Sequence, residues 1–377
     1  MQLSRCPVCA GKIGFGSVAK DLSDRIHIKC LEGCGDYLLF APLEAIRAAL
    51  GKVGAEGRRI LSRHLRCKTE ADLLAYLRPG YIIRMVNAHH AARQVIGRYG
   101  LSDPTFKDGP GGDTVSPLFY VQAAEGRFSL RVYNDEVGEH AVRSELAWLR
   151  HLRQAGDLIV PMPVAGQDGA VCQRADARDG LGPRWCVLSR WIEGDTVKRL
   201  RHEADRALTN QQIKDIGKTL ARFHRSAASF EAPAWFDRPQ YGAERLQKAI
   251  SAPDAGEDHI EAARAMLRFA RQTGTAHTVM GPVHADIADH NMLIHHGKVG
   301  LIDFMTLGWG YYWADLLKAM VQTVDPVGYS AFLQGYTETR PTPDGFADLV
   351  RALGLDGEHA GDRVRPLQAV LDPWMHP

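Results

Sequence analysis

The stretch that decides the fold runs from residue 284 to residue 304 and reads HADIADHNMLIHHGKVGLIDF. Its second half has apolar runs on both sides of a Gly-containing turn, which predicts a loop followed by a β-hairpin. Asp286 is followed five residues later by Asn291, and twelve residues beyond that by Asp303. Phosphoryl transfer needs one carboxylate to orient the attacking hydroxyl, and an amide oxygen and a second carboxylate to hold magnesium. Asp286 is therefore the candidate catalytic base, and Asn291 and Asp303 are the candidate metal ligands.

The histidines of this stretch allow two interpretations. We group His284 with the catalytic residues and expect it to brace the loop backbone rather than to react. The alternative is a metal-dependent hydrolase in which His284, Asp286 and either His290 or His295 are metal ligands. That alternative gives no role to the segments described below, and we therefore prefer the first interpretation.

The order and spacing of these residues resemble the catalytic and metal loops of the kinase-like phosphotransferases, which include aminoglycoside, choline and homoserine kinases and the RdoA-type protein kinases. In that group the first loop usually reads H-G/A-D-x-x-x-x-N and the second reads I-D-F, as they do here. The resemblance covers roughly residues 100–340. It implies an α+β, bilobal protein-kinase-like fold, with a small β-rich lobe and a large helical lobe, and it implies ATP and Mg2+ as cofactors. The chain departs from the group at Ala288, where relatives often carry His, and at Met305.

Two segments match the part of that fold that holds the nucleotide phosphates. The segment SPLFYVQAAEGRFSLRVYN (116–134) reads as two alternating strands, and GPGGD precedes it. The resemblance implies that Gly111 and Gly112 lie in a loop over the phosphates. Arg131 stands where most relatives have a lysine, and an arginine can bind a phosphate through two hydrogen bonds. Glu145, in the predicted helix SELAWLRHL, is expected to pair with Arg131.

Two further segments fit the same family. CVLSRWIEGDT (186–196) reads as an apolar strand entering a turn, and the resemblance implies that backbone groups near Ser189 and Trp191 bind adenine. GWGYYWADLLKAM (308–320) has Asp315 where relatives use a buried Asp to tie down the catalytic loop. The region 230–280, with Trp235 and Phe236, is expected to shape the acceptor site.

Four of the seven cysteines lie near the start of the chain, in the pairs CPVC and CLEGC: Cys6, Cys9, Cys30 and Cys34. Two close pairs separated by twenty residues match the spacing of a structural zinc site, in which each pair forms a knuckle. A segment this small cannot bury enough surface to fold unaided, so the metal would supply the folding free energy. We therefore predict a zinc ribbon with one structural Zn2+.

The composition is that of an ordinary globular chain, with 45% hydrophobic residues, 24% charged residues and a formal net charge of +2. No apolar run approaches the roughly 18 residues that span a bilayer, and the first residues lack the apolar segment of a secretory signal. We expect a cytoplasmic protein with no membrane partner. Residues 1–100 hold 16 Lys and Arg against 8 Asp and Glu. This basic region suggests a protein or nucleic-acid partner, with Arg58, Arg59, Arg63 and Arg66 as a candidate phosphate-binding face and a solvated helix face as the alternative.

These patterns predict four parts: a zinc ribbon (1–40), a helical connector (41–100), the small lobe (101–190) and the large lobe (191–377). The predicted function is an ATP- and Mg2+-dependent phosphotransferase that acts on a hydroxyl of a small molecule or of a protein Ser or Thr. The alternative is a zinc-ribbon regulator that binds nucleic acid or protein, with a kinase-like domain that binds nucleotide but catalyses weakly. The joint presence of Asp286, Asn291 and Asp303 favours the enzyme.

Overall fold

The computed structural model describes residues 13–15, 26–30, 36–39, 79–108, 116–134, 136–176, 183–203, 207–251, 256–357 and 360–375. Several predictions concern residues outside these ranges: the thiols of Cys6, Cys9 and Cys34, the arginines between residues 58 and 66, and Gly111 and Gly112. They stand as predictions. In the part of the chain that is described, no helix combines the length and the apolar character needed to cross a membrane.

The chain divides into two compact units. The first comprises Met1–Gly138 and Pro163–Arg190, and the second comprises Glu139–Met162 and Trp191–Pro377.

The first unit carries β-sheets. Strands β1 (Ile13–Phe15), β2 (Ile26–Cys30) and β3 (Asp36–Leu39) pair in sequence order and antiparallel. A separate six-stranded sheet has the order β4-β5-β6-β9-β7, with β8 paired to β9. Its strands are β4 (Thr105–Asp108), β5 (Leu118–Ala123), β6 (Gly126–Val132), β7 (Met162–Pro163), β8 (Cys172–Ala175) and β9 (Arg184–Arg190).

Buried and more exposed residues alternate along β5 and β6, and the buried ones face the core of this unit. Phe119, Val121, Leu130 and Val132 are buried, and the residues between them are more exposed, as expected for strands with one face toward a core. Helix α1 (Pro79–Ile96) and a 3-10 turn (Gly97–Tyr99) add buried side chains to the same cluster, and so do strands β8 and β9.

The second unit is mainly helical. Its helices are α2 (Glu139–Gln154), α3 (Asn210–Ala228), α4 (Ala243–Ile250), α5 (Glu257–Thr273), α6 (Tyr312–Thr323), α7 (Tyr329–Thr337), α8 (Phe346–Ala352) and α9 (Ala360–Met375). Two small sheets, β10-β13-β14 and β11-β15-β12, complete it. Their strands are β10 (Asp195–Thr196), β11 (Gln240–Tyr241), β12 (Met280–Val283), β13 (Met292–His295), β14 (Lys298–Leu301) and β15 (Gly308–Tyr311).

The local sequence explains how helix α3 begins and how the chain turns between β13 and β14. Helix α3 starts with a capping box, in which the Thr209 hydroxyl accepts the Gln212 N–H and the Gln212 side chain accepts the Thr209 N–H. Strands β13 and β14 form the predicted hairpin, with Met292 opposite Leu301 and His295 opposite Lys298. The two turn residues, His296 and Gly297, both have positive φ, as a tight hairpin turn requires.

Helices α3 and α7 approach so closely that only glycine fits at their contact. A Cβ atom at Gly217 would overlap the carbonyl oxygen of Phe332, and a Cβ atom at Gly335 would overlap that of Lys214. This close approach aligns the buried polar side chains of the two helices, which are described below.

Candidate active site

The loop that carries Asp286 is anchored by helix α6. Strand β12 ends one residue before His284 and pairs with β15, and β15 leads directly into α6. The carboxylate of Asp315, in the first turn of α6, accepts the N–H groups of His284 (2.8 Å) and Ala285 (2.9 Å). Asp315 is fully buried. The prediction that Asp315 ties the catalytic loop down is confirmed.

A buried chain of polar side chains supports Asp315 from behind. His224 Nε2 lies 3.3 Å from Asp315 Oδ2, and His224 Nδ1 lies 2.9 Å from the Tyr336 hydroxyl. Burial lowers the pKa of His224, against the opposing effect of the Asp315 carboxylate, so the ring is neutral at pH 7. The carboxylate can only accept, so Nε2–H donates to Asp315 and Nδ1 accepts from Tyr336. The sequence gave no sign of this role for His224.

His284 links the two loops of the site through their backbones. Its Nε2 lies 3.0 Å from the carbonyl oxygen of Ile302, and its Nδ1 lies 3.3 Å from the amide nitrogen of Asp286. A carbonyl accepts and an amide N–H donates, so the ring carries its proton on Nε2. Both ring nitrogens are thereby used in bonds to the backbone. This geometry does not fit the hydrolase alternative, which requires His284 as a metal ligand.

The side chain of Asn291 fixes one oxygen of the candidate base. Asn291 Nδ2 donates to Asp286 Oδ2 (2.8 Å) and to the Asp286 carbonyl oxygen (3.0 Å). Asn291 is 3% exposed, whereas the Asp286 side chain is 20% exposed and can be reached by a substrate. With its amino group engaged by Asp286, Asn291 has its amide oxygen to offer to a cation.

The hairpin register brings Asp303 next to Asn291. Since Met292 lies opposite Leu301, the residues that flank this pair are Asn291 and Ile302, and the Ile302 N–H donates to the Asn291 carbonyl oxygen (3.0 Å). Asp303 follows with a φ of 65°, a left-handed conformation that Asp adopts more readily than most residues. An amide oxygen and a carboxylate are both ligands that suit Mg2+. The chemistry of Asn291 and Asp303 therefore fits the metal that the sequence implied.

Arg238 holds the segment that follows Asp303. Its Nε donates to the carbonyl oxygen of Leu307 (2.6 Å), and its Nη1 donates to that of Ala141 (3.2 Å). Its Nη2 donates to the carbonyl oxygens of Phe304 and Met305. A buried guanidinium needs such acceptors, and here three of them come from residues 304–307 and one from α2. Arg238 could not be predicted from the sequence, because its partners are distant along the chain. Leu307 lies more than 60 positions after it, and Ala141 lies nearly 100 positions before it.

Thr306 and Tyr241 complete the support of this segment. The Thr306 hydroxyl donates to the carbonyl oxygen of His284 (2.9 Å), and the Tyr241 hydroxyl donates to that of Thr306 (2.6 Å). Burial raises the pKa of Tyr241 to about 12, so it remains a donor. The loop of Asp286 and the segment after Asp303 are thus tied to each other and to β11.

Lys318 is a further residue of the site that the sequence did not predict. It is fully buried on α6, and its Nζ lies 3.4 Å from Asp286 Oδ1. The available signal was a lysine one helical turn after Asp315 in the otherwise apolar run YWADLLKAM.

His290 lies at the rim of the site, with a side chain that is 53% exposed. Its Nε2 is 3.7 Å from Asp286 Oδ2, and its Nδ1 is 3.6 Å from Asp289 Oδ1. These two carboxylates raise the pKa of His290 to about 9 because they stabilise the imidazolium, and Asp286 has the larger effect. His290 therefore adds a positive charge beside Asp286 at neutral pH.

The residues predicted to hold the nucleotide are distributed over both units. Arg131 lies in β6, half-buried between Leu118 and Val187 of the neighbouring strands, and Ser189 is buried in β9. Glu145 is buried in α2 of the second unit, and Trp191 begins the second stretch of that unit. The pairing of Arg131 with Glu145 stays a prediction.

The predicted acceptor region carries an exposed aromatic side chain. Trp235 is partly exposed, and the guanidinium of Arg143 lies 5.0 Å from its ring centroid. Phe236 instead packs against the hydrophobic core.

The chain is similar to known proteins over more than half of its length. A family model described as "Phosphotransferase enzyme family" matches residues 109–349. A homoserine kinase of Gluconobacter oxydans (strain 621H) is 25% identical over 246 residues, which cover 60% of this chain and 71% of that protein. A homoserine kinase of Methylobacillus flagellatus is 27% identical over 261 residues, which cover 66% of this chain and 75% of that protein.

Two solved structures are similar in fold. One is a microcompartment-associated aminopropanol kinase, with a TM-score of 0.56 at 21% identity, and the match covers 75% of this chain and 95% of that one. The other is an amicoumacin kinase in complex with AMP-PNP, Ca2+ and Ami, with a TM-score of 0.56 at 18% identity, and the match covers 76% of this chain and 92% of that one.

The family match covers more than half of the chain, and the chain therefore belongs to the phosphotransferase enzyme family. The predictions of an enzyme of the kinase class and of a kinase-like fold with a sheet-bearing part and a helical part are confirmed. ATP and Mg2+ are typical of this family.

Proposed function

We propose that this protein transfers the γ-phosphate of ATP to a hydroxyl group of a small molecule. The observation that carries the proposal is the bond between Asn291 and the Asp286 carboxylate, together with the hairpin register that sets Asp303 beside Asn291. Asp286 orients the acceptor hydroxyl and takes its proton as the new O–P bond forms and the bond from the γ-phosphorus to ADP breaks. The Asn291 amide oxygen and the Asp303 carboxylate would hold Mg2+, which would neutralise charge on the phosphates.

In this proposal, residues from other parts of the chain bind the nucleotide. Arg131 binds the phosphates and pairs with Glu145, Gly111 and Gly112 cover the phosphates, and backbone groups near Ser189 and Trp191 bind adenine. Arg131 is always charged and has a planar fork of donors, which suits a phosphate. Replacing Arg131 with Ala is expected to raise the apparent KM for ATP and to lower the rate, whereas Arg131→Lys should retain part of the activity.

The acceptor class follows from the relatives rather than from a single residue. The homoserine kinases described above match this chain over 71% and 75% of their own length. They support a small amino alcohol as the first acceptor to test. Their identity to this chain is below 30%, so the acceptor panel must extend to choline, aminoglycosides, other amino alcohols and a Ser/Thr-containing protein.

The test is a screen in which ADP release and transfer of labelled γ-phosphate are measured for each acceptor with MgATP. The expected result is a phosphorylated small molecule, identified by mass spectrometry, that the Asp286→Asn variant does not form. A matched control is Asp258→Asn, which removes a carboxylate that is exposed and bonded to Arg363. Transfer to the protein alone, or no transfer to any acceptor above the rate of Asp286→Asn, would refute the proposal.

We also propose that Cys6, Cys9, Cys30 and Cys34 bind one structural Zn2+. Strand β1 begins four residues after Cys9, β2 ends at Cys30, and β3 begins two residues after Cys34, so each cysteine pair directly adjoins the strands of an antiparallel sheet in the chain. Elemental analysis of the purified protein should give about one zinc per chain. Substitution of Cys6 and Cys9 by Ser should abolish it, whereas substitution of Cys172 and Cys186 by Ser should not; zinc-free protein with an unchanged fold of residues 1–40 would contradict the proposal.

A further inference from the structure

Lys318 occupies a position in which a lysine is costly. In the part of the chain that is described it is the one lysine with a fully buried side chain. An ammonium group taken out of water is unfavourable unless a carboxylate compensates it. A well-packed apolar side chain would fill the same volume of α6 at lower cost, so packing alone does not explain a lysine here.

The carboxylate of the candidate base lies within ion-pair distance of this ammonium. Lys318 Nζ is 3.4 Å from Asp286 Oδ1, while Oδ2 accepts from Asn291 and faces His290 at 3.7 Å. The two oxygens of the Asp286 carboxylate therefore have different partners, and those partners come from different parts of the chain. The loop contributes no cation of its own at position 288, where Ala288 is buried.

We propose that Lys318 is a positioning residue for phosphoryl transfer, which orients the Asp286 carboxylate through Oδ1 while Asn291 holds Oδ2. The inference rests on the proposed function, because it assigns Lys318 a role only through the action of Asp286 on the acceptor. A carboxylate held at both oxygens cannot rotate about its Cβ–Cγ bond, so one set of lone pairs stays directed at the acceptor hydroxyl. Lys318 itself is buried and acts on the substrate only through Asp286.

A positioning role predicts different effects on kcat and on the dissociation constant for MgATP. Lys318→Met keeps an unbranched side chain of similar length and removes the charge. If Lys318 positions Asp286, kcat should fall roughly 100-fold, the scale of a misplaced catalytic group. The dissociation constant for MgATP should change by less than about twofold, since the metal ligands Asn291 and Asp303 are untouched. Lys318→Arg keeps the charge and should retain more activity than Lys318→Met.

The control is Lys218→Met, which breaks a lysine–carboxylate pair between α3 and the residue that follows α7, outside the site. Lys218 Nζ lies 2.7 Å from Glu338 Oε2, with both side chains partly exposed. This variant should keep the wild-type kcat. Each rate is divided by the number of nucleotide-binding sites found by titration, so that partial misfolding does not imitate a lower kcat.

A second measurement does not depend on activity. The effect of Lys318→Met on the urea midpoint of unfolding is compared in the wild type and in the Asp286→Asn background. Different shifts in the two backgrounds are expected, because the ammonium and the carboxylate interact. Equal shifts, or a kcat of Lys318→Met within about twofold of the wild type, would overturn the inference. A wild type that phosphorylates no acceptor would instead refute the proposed function, and the unfolding comparison would still decide whether Lys318 and Asp286 interact.

Discussion

Asp315 and Lys318 lie one turn apart on α6, both fully buried, and they engage successive residues of the same loop. Asp315 accepts the N–H groups of His284 and Ala285, and Lys318 contacts the Asp286 carboxylate. A loop on its own offers few contacts that would fix a side chain, whereas a buried helix is rigid. One helix therefore determines both the backbone path of the loop and the orientation of its functional group.

Asp315 should make a large contribution to stability. In Asp315→Asn one carboxylate oxygen becomes an amino group that faces a buried donor, either a backbone N–H or the His224 ring. The expected loss is about 3 kcal/mol in the free energy of unfolding, measured by urea denaturation. The exposed Asp258, changed to Asn, should cost less than about 0.5 kcal/mol. Equal losses for the two variants would show that the backbone bonds of Asp315 do not matter for stability.

Asp303 and Asp286 should be separable by their effects on nucleotide binding. Asp303→Ala removes a proposed metal ligand and is expected to weaken MgATP binding by about tenfold or more, measured by isothermal titration calorimetry. Asp286→Ala should leave this affinity within about twofold and lower the turnover by roughly 100-fold or more. The same affinity in both variants would contradict the assignment of the two carboxylates.

Ala285 should tolerate glycine and reject a β-branched residue. Its φ of 66° lies in the left-handed region, which costs a side-chain-bearing residue roughly 1 kcal/mol or more. Ala285→Gly relieves this strain but loses a buried methyl group, so the free energy of unfolding should change by less than about 1 kcal/mol. Ala285→Val should lower it by about 3 kcal/mol or more, because the site is fully buried as well as left-handed. Thermal unfolding of the two variants side by side tests this, and a stable valine variant would be the contrary result.

His224 should make the protein sensitive to mild acid. Burial lowers its pKa below the usual 6.5, so the folded state binds this proton more weakly than the unfolded chain does. The associated stability is present above about pH 6.5 and is lost as the pH falls toward the lower pKa of the folded state. The free energy of unfolding of the wild type should therefore decrease between about pH 7 and pH 5 more steeply than that of His224→Gln. Replacing the exposed His277 by Gln serves as the control and should leave the pH dependence of the unfolding free energy as it is in the wild type. If His224→Gln also showed the wild-type pH dependence, His224 would not be the cause of the acid sensitivity.

The parts of the site that the sequence predicted are those encoded within short segments. The hairpin of β13 and β14 follows from alternation around His296 and Gly297, and the register then sets Asp303 beside Asn291 without further information. Asp315 was predictable because the segment GWGYYWADLLKAM resembles one in which relatives of the family carry a buried Asp. The hairpin needed only local spacing, whereas the role of Asp315 needed the family resemblance.

The parts that the sequence did not predict depend on long-range contacts. Lys318 looks like an ordinary polar position on a helix until α6 is known to be buried on all sides. Arg238 is bonded to carbonyl oxygens of residues 304–307, and backbone acceptors leave no side-chain pattern to read. His224 acquires its role only when α3 and α7 are packed together, since its partner Tyr336 is 112 positions away.

The glycine contact between α3 and α7 also sets a limit on how far the protein can be shortened. Gly217 and Gly335 let the two backbones touch, and the same contact delivers the Tyr336 hydroxyl to His224. A deletion that removes α7 would uncover an apolar groove along α3 and leave a buried ring nitrogen without its donor. Residues 329–337 are therefore part of the smallest fragment that can keep the catalytic loop in place, although they lie well after the last proposed catalytic or metal-binding residue.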